Sequence, residues 1–257
     1  MSFLSIFDQA AASIKSGGTT RRAAKMVILN VDHPDVEKFI QWKVKEERKV
    51  ASLVAGSHMC YESLKGIMES AEKNGFDPSS NPELKKLILK AKTNFIPLNY
   101  IKRVLMLVEN GVKANEFDFK TFDTDFRSEA YVTVDGQNSN NTVRVTNDFM
   151  SSVINDKDWD LVSRATGKVT KSIKAKRLWD EIATAAWESA DPGLQFDTTI
   201  NEWNTCLTDG RINGSNPCSE YMFLDNTACN LASANQMKFF DAEKNQFDVE
   251  GYENNGR

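Results

Sequence analysis

The sequence predicts a mixed α/β fold, and three observations carry that expectation. The run Met26-Val-Ile-Leu-Asn-Val31 is apolar on both faces, as a parallel strand covered on each side has to be. Helical patterns flank it, and strand character returns at Thr142–Val145 and Gln195–Asp197 with helical stretches between, the alternation from which parallel sheets are built. The composition agrees: 257 residues, 40% hydrophobic and 26% charged, form an ordinary globular chain and exclude disorder and collagen-like repeats.

From Ser2, a plausible N-cap, Phe3, Ile6, Phe7, Ala10 and Ile14 recur at helical spacing up to the stop at Gly17-Gly18. After the strand at Met26–Val31, Asp32-His33-Pro34 opens a helix with Val36, Phe39 and Ile40 on its buried face, Pro34 standing where a missing amide costs nothing. Residues 45–115 read as a charge-rich helical insertion. Asn74-Gly75, Asp77-Pro78 and Asn81-Pro82 separate short helices around Tyr61–Lys73, Pro82–Lys92 and Pro97–Glu109. Ala130–Val134 and Thr142–Val145 read as strands flanking the polar turn 135–141, and Asn147-Asp148 caps a helix through Ile154. Trp159–Ser163 and Lys168–Thr170 form a hairpin, a helix follows over Ala175–Ala190, and Asp191-Pro192-Gly193 ends it. Gly210–Asp225 is a glycine-broken loop, and the tail Asn245–Arg257 reads as a frayed end or truncation. With no internal repeat and no low-complexity linker, one domain over 1–257 is expected.

A net charge of -4 argues against direct nucleic-acid binding or a basic membrane-surface role, because both need a cationic field. No stretch approaches the roughly 20 apolar residues that cross a bilayer, and the N-terminus has no basic region before its apolar residues, so a cytoplasmic protein is expected. Cys60, Cys206, Cys218 and Cys229 include no Cys-x-x-Cys pair, and His33 and His58 are the only histidines, so no protein-built metal site is expected. Three of the four cysteines nevertheless fall between 206 and 229.

One of them stands in Asn216-Pro217-Cys218-Ser219-Glu220. If extended, this stretch projects an amide, a thiol and a carboxylate to one side. A neighbouring carboxylate raises a thiol's pKa, which disfavours thiolate chemistry. Such a thiol suits one-electron work: it gives up a hydrogen atom in a water-excluding pocket while the carboxylate takes a substrate proton. The blander alternative makes Cys218 a small buried residue, Asn216 a turn cap and Glu220 a solvated charge, and spacing alone favours it. Lys15-Ser-Gly-Gly-Thr-Thr-Arg-Arg22 has the makings of a phosphate grip in Lys15, Gly17, Gly18, Arg21 and Arg22, against the alternative of a helix C-terminus with basic residues on its dipole.

Asn216-Pro217-Cys218-Ser219-Glu220 resembles the Asn-x-Cys-x-Glu finger-loop motif of ribonucleotide reductases, and Tyr221-Met-Phe-Leu-Asp-Asn-Thr-Ala-Cys229 is similar to the segment that follows it. The chain is most similar to the adenosylcobalamin-dependent, class II large-subunit family. The likeness extends to Ile14–Arg22 with Val31–Asp35, to Tyr131–Phe149 and to Ala185–Gly193. It implies part of a ten-stranded α/β barrel, with a finger loop carrying the radical cysteine inside it and the helical insertion at 45–115. Asn216, Pro217, Cys218, Ser219 and Glu220 then meet a ribonucleotide substrate. Cys218 is implied as the thiyl radical that takes the 3′ hydrogen, Glu220 as the acceptor of the 3′-hydroxyl proton, Asn216 as a hydrogen-bonding partner, and Cys229 as one redox cysteine. Lys15, Gly17, Gly18, Arg21 and Arg22 fall on the loop that links a deoxynucleotide effector to substrate choice.

The same likeness implies adenosylcobalamin, a thioredoxin-like or other dithiol reductant, and flanking segments that complete the barrel and hold the second redox cysteine. Without them, weak homodimerisation or aggregation and no turnover are expected of the isolated chain. Two alternatives stay open: a class I large-subunit fragment, and a catalytically silent nucleotide-binding or interaction module. Plain thiol–disulfide exchange between Cys218 and Cys229 is the least favoured.

Overall fold

The computed structural model describes residues 2–16, 21–22, 25–125, 127–230 and 233–255. These divide into two compact units, Met1–Trp203 and Asn204–Arg257.

In the first unit, α1 (Ser2–Ser13) leads into a two-stranded ladder of β1 (Lys15–Ser16) and β2 (Arg21–Arg22), then β3 (Lys25–Asn30) and α2 (Val36–Ile40). A 33-residue helix follows, α3 (Trp42–Asn74), and then α4 (Pro82–Thr93), α5 (Leu98–Glu109) and the short α6 (Glu129–Val132). β4 (Ser139–Val145), α7 (Asn147–Ile154), the antiparallel hairpin β5 (Asp158–Val162) and β6 (Val169–Lys174), α8 (Ala175–Ser189), β7 (Gly193–Phe196) and α9 (Asp197–Glu202) complete it. The second unit holds β8 (Gly214–Ser215), β9 (Met222–Phe223), β10 (Phe240–Asp241), β11 (Gln246–Phe247) and α10 (Val249–Asn255).

The predicted α/β character is present as a parallel three-stranded sheet in the order β3-β4-β7. Central β4 runs in register from Lys25↔Ser139 to Asn30↔Arg144 on one side and from Thr142↔Gly193 to Val145↔Phe196 on the other. Val143, Val145 and Phe149 are fully buried with the predicted face Val36, Phe39 and Ile40, and with Leu178 and Ile182 of α8. A second core belongs to the helical region, where Leu64, Ile67 and Met68 of α3 meet Leu84 of α4 and Ile101 and Val104 of α5. Among the described residues no barrel closes: each of the other sheets has two strands.

Four expectations are corrected. The short helix at Tyr61–Lys73 is the second half of α3. Nothing in 42–60 breaks the helix, Gly56 having open space around it, and Val44 and Val50 anchor the first half. Ala130–Val134 contains helix α6 rather than a strand. Its buried residues, Ala130 and Val134, are four apart, the helical period, while Val132 between them is exposed. The polar segment 139–141 belongs to β4, its buried side chains satisfied laterally: Ser139 Oγ donates to Asn141 Oδ1 (3.1 Å) and Asn141 Nδ2 to Asp191 Oδ2 (2.8 Å). The described part of the predicted tail Asn245–Arg257, residues 245–255, holds β11 and α10 around packed rings, Tyr252 lying 5.4 Å from Phe239 and 5.6 Å from Phe247.

The first helix is present, but Phe3, Ile6, Phe7 and Ile14 of its apolar stripe are exposed. Besides Ala11, α1 buries Asp8, whose carboxylate accepts from the backbone amides of Gly136 (2.8 Å) and Asn138 (3.0 Å), with Lys25 Nζ 3.9 Å away. Gly136 has φ +80°, and a Cβ there would stand 3.5 Å from the Trp42 ring, so glycine suits both the backbone and the close approach. No described helix is long and apolar enough to cross a membrane.

Candidate functional site

Cys218 stands at the tip of a small hairpin. β8 and β9 pair antiparallel, Gly214↔Phe223 and Ser215↔Met222, leaving 216–221 to turn the chain. Asn216 closes that turn from both ends. Its backbone amide donates to Tyr221 O (3.2 Å), and its side-chain Oδ1 accepts from Tyr221 N (3.0 Å). Ser219 N donates to Asn216 O (3.0 Å), and Ser215 Oγ donates to the same carbonyl (2.8 Å). Ser219 sits at φ +63°, a left-handed conformation that a strand never uses.

The alternating projection of residues 216, 218 and 220 is therefore corrected: the segment is a turn, because local side-chain-to-backbone bonds outcompete the extended form. Cys218 and Glu220 are exposed, and no closed sheet surrounds them among the described residues. The physical reason is plain, since two-stranded ladders enclose nothing. Pro217 and Ser219 are half-buried in the turn, and Cys218 and Cys229 are free thiols.

Beside the hairpin lies a cleft of about 380 Å³, lined by Asn216, Tyr221, Asp225, Thr227 and Cys229 among others. Asn216 and Cys229 thus meet one space, while Cys218 and Glu220 are not part of its wall. Tyr221, which spacing did not single out, contributes its ring, 5.8 Å from that of Phe223. Its hydroxyl donates to Thr227 Oγ1 (3.1 Å), whose own proton goes to Leu224 O (2.6 Å).

Of the phosphate-grip residues, Lys15 and Arg22 are register partners across β1 and β2, next to Ser16↔Arg21. Gly17 and Gly18 lie outside the described residues. His33 and His58 have structural partners: His33 Nδ1 accepts from Asp35 N (3.0 Å), and His58 Nε2 lies 3.1 Å from Phe122 O. Burial, aided by the Arg164 charge, holds His33 below the usual imidazole range.

A polar group in the sheet was missed by the sequence reading. Arg144 is buried in central β4, donates to Gln195 Oε1 (3.1 Å) and pairs with Asp197. The available signal was a guanidinium between Val143 and Val145, which a buried strand tolerates only with a carboxylate opposite. Asp191, at the other end of the sheet, has its carboxyl pushed up by burial, although Lys43 Nζ at 3.8 Å and Asn141 pull the other way.

Residues 1–256 match the family described as ribonucleotide reductase, barrel domain. The chain is 56% identical over 259 residues to a vitamin B12-dependent ribonucleotide reductase of Bradyrhizobium diazoefficiens, covering 98% of this chain and 20% of that protein. A protein of the same name from Agrobacterium fabrum is 55% identical with the same coverage. A vitamin B12-dependent ribonucleoside-diphosphate reductase of Thermoplasma acidophilum is 44% identical over 112 residues, 43% of this chain and 15% of its own length. The chain thus spans about one fifth of the length of the first two relatives.

Proposed function

The chain belongs to the ribonucleotide reductase barrel-domain family, and from that membership we propose that it is the central segment of a cytoplasmic, adenosylcobalamin-dependent enzyme that reduces ribonucleotides to deoxyribonucleotides. The observation that carries this reading is the Asn216-x-Cys218-x-Glu220 turn at a hairpin tip, with Cys229 in the adjoining cleft. The hairpin is read as the finger loop of a ten-stranded barrel, whose strands beyond β3, β4 and β7 come from sequence outside this segment. They would shield Cys218, exposed here, from the water and thiols that quench a sulfur radical.

The residues fit the cofactor at one point: Cys218 is a free thiol at the tip of the turn, the group from which a hydrogen atom would be withdrawn. When bound, adenosylcobalamin supplies the one-electron chemistry that withdraws a hydrogen atom from that thiol. Cys218, as a thiyl radical, takes the hydrogen atom from C3′ of the ribose and becomes S–H. The Glu220 carboxylate takes the 3′-hydroxyl proton. Asn216 Oδ1 already accepts from Tyr221 N, so Nδ2 is the donor this side chain turns to the substrate. The 2′-hydroxyl leaves as water with a proton from a dithiol that includes Cys229. That dithiol closes to a disulfide, supplying two electrons and its second hydrogen to C2′; the Glu220 carboxyl returns its proton to the 3′ oxygen, and Cys218 returns its hydrogen atom to C3′. A thioredoxin-like or other dithiol then reopens the disulfide.

The ladder of β1 and β2 is read as the base of the effector loop, for a deoxynucleotide. Its register sets Lys15 opposite Arg22. The exposed stripe Phe3, Ile6 and Phe7 is the apolar surface on which the rest of the barrel or a second copy packs.

The test is deoxynucleotide formation by the complete reductase containing this segment, with adenosylcobalamin and a dithiol, comparing wild type with Cys218→Ala. Product is expected only with cobalamin and Cys218. Product without cobalamin moves the chain to class I. A folded, nucleotide-binding enzyme whose output is indifferent to Cys218 refutes the radical assignment and leaves a silent binding module.

A further inference from the structure

We propose that Tyr221 is a positioning residue that ties the two cysteine-bearing segments together, its backbone closing the Cys218 turn while its hydroxyl holds the segment after β9 that carries Cys229. The main-chain half is a two-bond clasp with Asn216, through Tyr221 N to Asn216 Oδ1 (3.0 Å) and Asn216 N to Tyr221 O (3.2 Å). The side-chain half is a directed chain of hydroxyls. Thr227 spends its proton on Leu224 O at 2.6 Å, so its oxygen is an acceptor, and the Tyr221 phenol donates to it at 3.1 Å. Ala228 O lies 3.5 Å from the same phenol, and Cys229 is the next residue. Tyr221, Thr227 and Cys229 line one cleft with Asn216.

The Cys229 sulfur itself lies 3.6 Å from its neighbour's carbonyl, Asn230 O. Thiyl chemistry at one sulfur and electron delivery from another need a fixed spacing, since small displacements of reacting groups cost large factors in rate. The phenol supplies such a fixed link. The value of that link to catalysis rests on the proposed redox role of Cys229; the positioning itself does not.

Tyr221→Phe keeps the ring, its contact with Phe223 and both backbone bonds, and removes only the hydroxyl. In the complete reductase, brief labelling with a maleimide followed by peptide mapping reads Cys229 and Cys218 separately, the second serving as internal control. Losing one hydrogen bond should raise the Cys229 rate relative to Cys218 by about threefold or more. In the same variant kcat should fall with the nucleotide KM unchanged. A Cys229-to-Cys218 labelling ratio equal to wild type, with circular dichroism showing the variant folded, overturns the proposal. The reading on which its catalytic value rests is checked apart from it: Cys229→Ser that turns over like wild type removes the redox role and leaves the labelling result standing.

Discussion

Replacing Asp8 with alanine should be among the most costly single changes outside the apolar cores. The carboxylate is fully buried and accepts two backbone amides, Gly136 N at 2.8 Å and Asn138 N at 3.0 Å, with Asn138 Nδ2 at 3.4 Å and Lys25 Nζ at 3.9 Å around it. Hydrogen bonds to a charged group contribute about 1.5–3 kcal/mol each, and a buried amide left without an acceptor costs about 1–3 kcal/mol. Gly136 is buried and Asn138 half-buried, so one orphaned amide bears most of that cost and the other recovers water. Lys25 keeps Leu4 O, at 3.0 Å, but loses its counter-charge. Because the lost bonds and the orphaned amide overlap rather than add, Asp8→Ala should cost about 2–4 kcal/mol, a large share of an ordinary domain's stability. Asp8→Asn keeps one acceptor and turns an amide donor on the other, and should fall between. Urea unfolding followed by tryptophan fluorescence measures the loss, with Trp42 against Gly136 reporting locally. Hydrogen exchange at Gly136 and Asn138 should lose protection in the same variants. A midpoint shift worth less than about 0.5 kcal/mol, or unchanged protection at both amides, would show that the carboxylate does not hold this turn.

Two further outcomes follow from buried polar groups elsewhere. Asn81 caps α4 through Leu84 N (3.0 Å) while its Nδ2 donates to Ser70 O (3.0 Å) and Gly75 O (2.9 Å), so Asn81→Ala should cost about 2–4 kcal/mol and Asn81→Asp, which keeps only the cap, less; equal losses in urea melts of the two would deny the cap any share. Asp191 has a folded-state pKa raised by burial, so the native state keeps its proton to higher pH than the unfolded chain does. Its stability contribution is therefore present at low pH and lost as pH rises from about 4 through the raised value, and Asp191→Asn should abolish that slope in urea midpoints measured across pH; a slope that persists in the variant assigns it to another group.

The parts of the fold that could be read from sequence are those where one period dominates. Met26–Val31, the face Val36, Phe39 and Ile40, and the helix ending before Asp191-Pro192-Gly193 each follow from apolar spacing and its punctuation. Where distant partners decide, the sequence was silent. Arg144 looks like an intruder in a strand until Asp197, remote in the chain, is seen beside it. Asp8 looks like the polar side of an amphipathic helix, yet it is the buried side, because two amides of a turn more than a hundred residues away point at it. The site divides in the same way. Its chemistry was legible only through resemblance, since Asn-x-Cys-x-Glu by spacing alone fits a plain turn. The geometry that was missed came from Asn216, whose side chain binds Tyr221 N and bends residues 216–221 where alternation had suggested a strand.

The clasp at Asp8 also sets an order of events during synthesis. A ribosome working through this segment makes α1 while residues 136–138 do not yet exist. A 12-residue helix is marginal alone in water, and its central carboxylate stays hydrated until two specific amides emerge. The strand β3 waits on the same stretch, since its parallel partner begins at Ser139. The elements α1 and β3 are thus fixed only when residues 136–145 arrive. Until then the helices from Trp42 to Glu109, whose shared core needs neither, form a folded island within an unfinished chain.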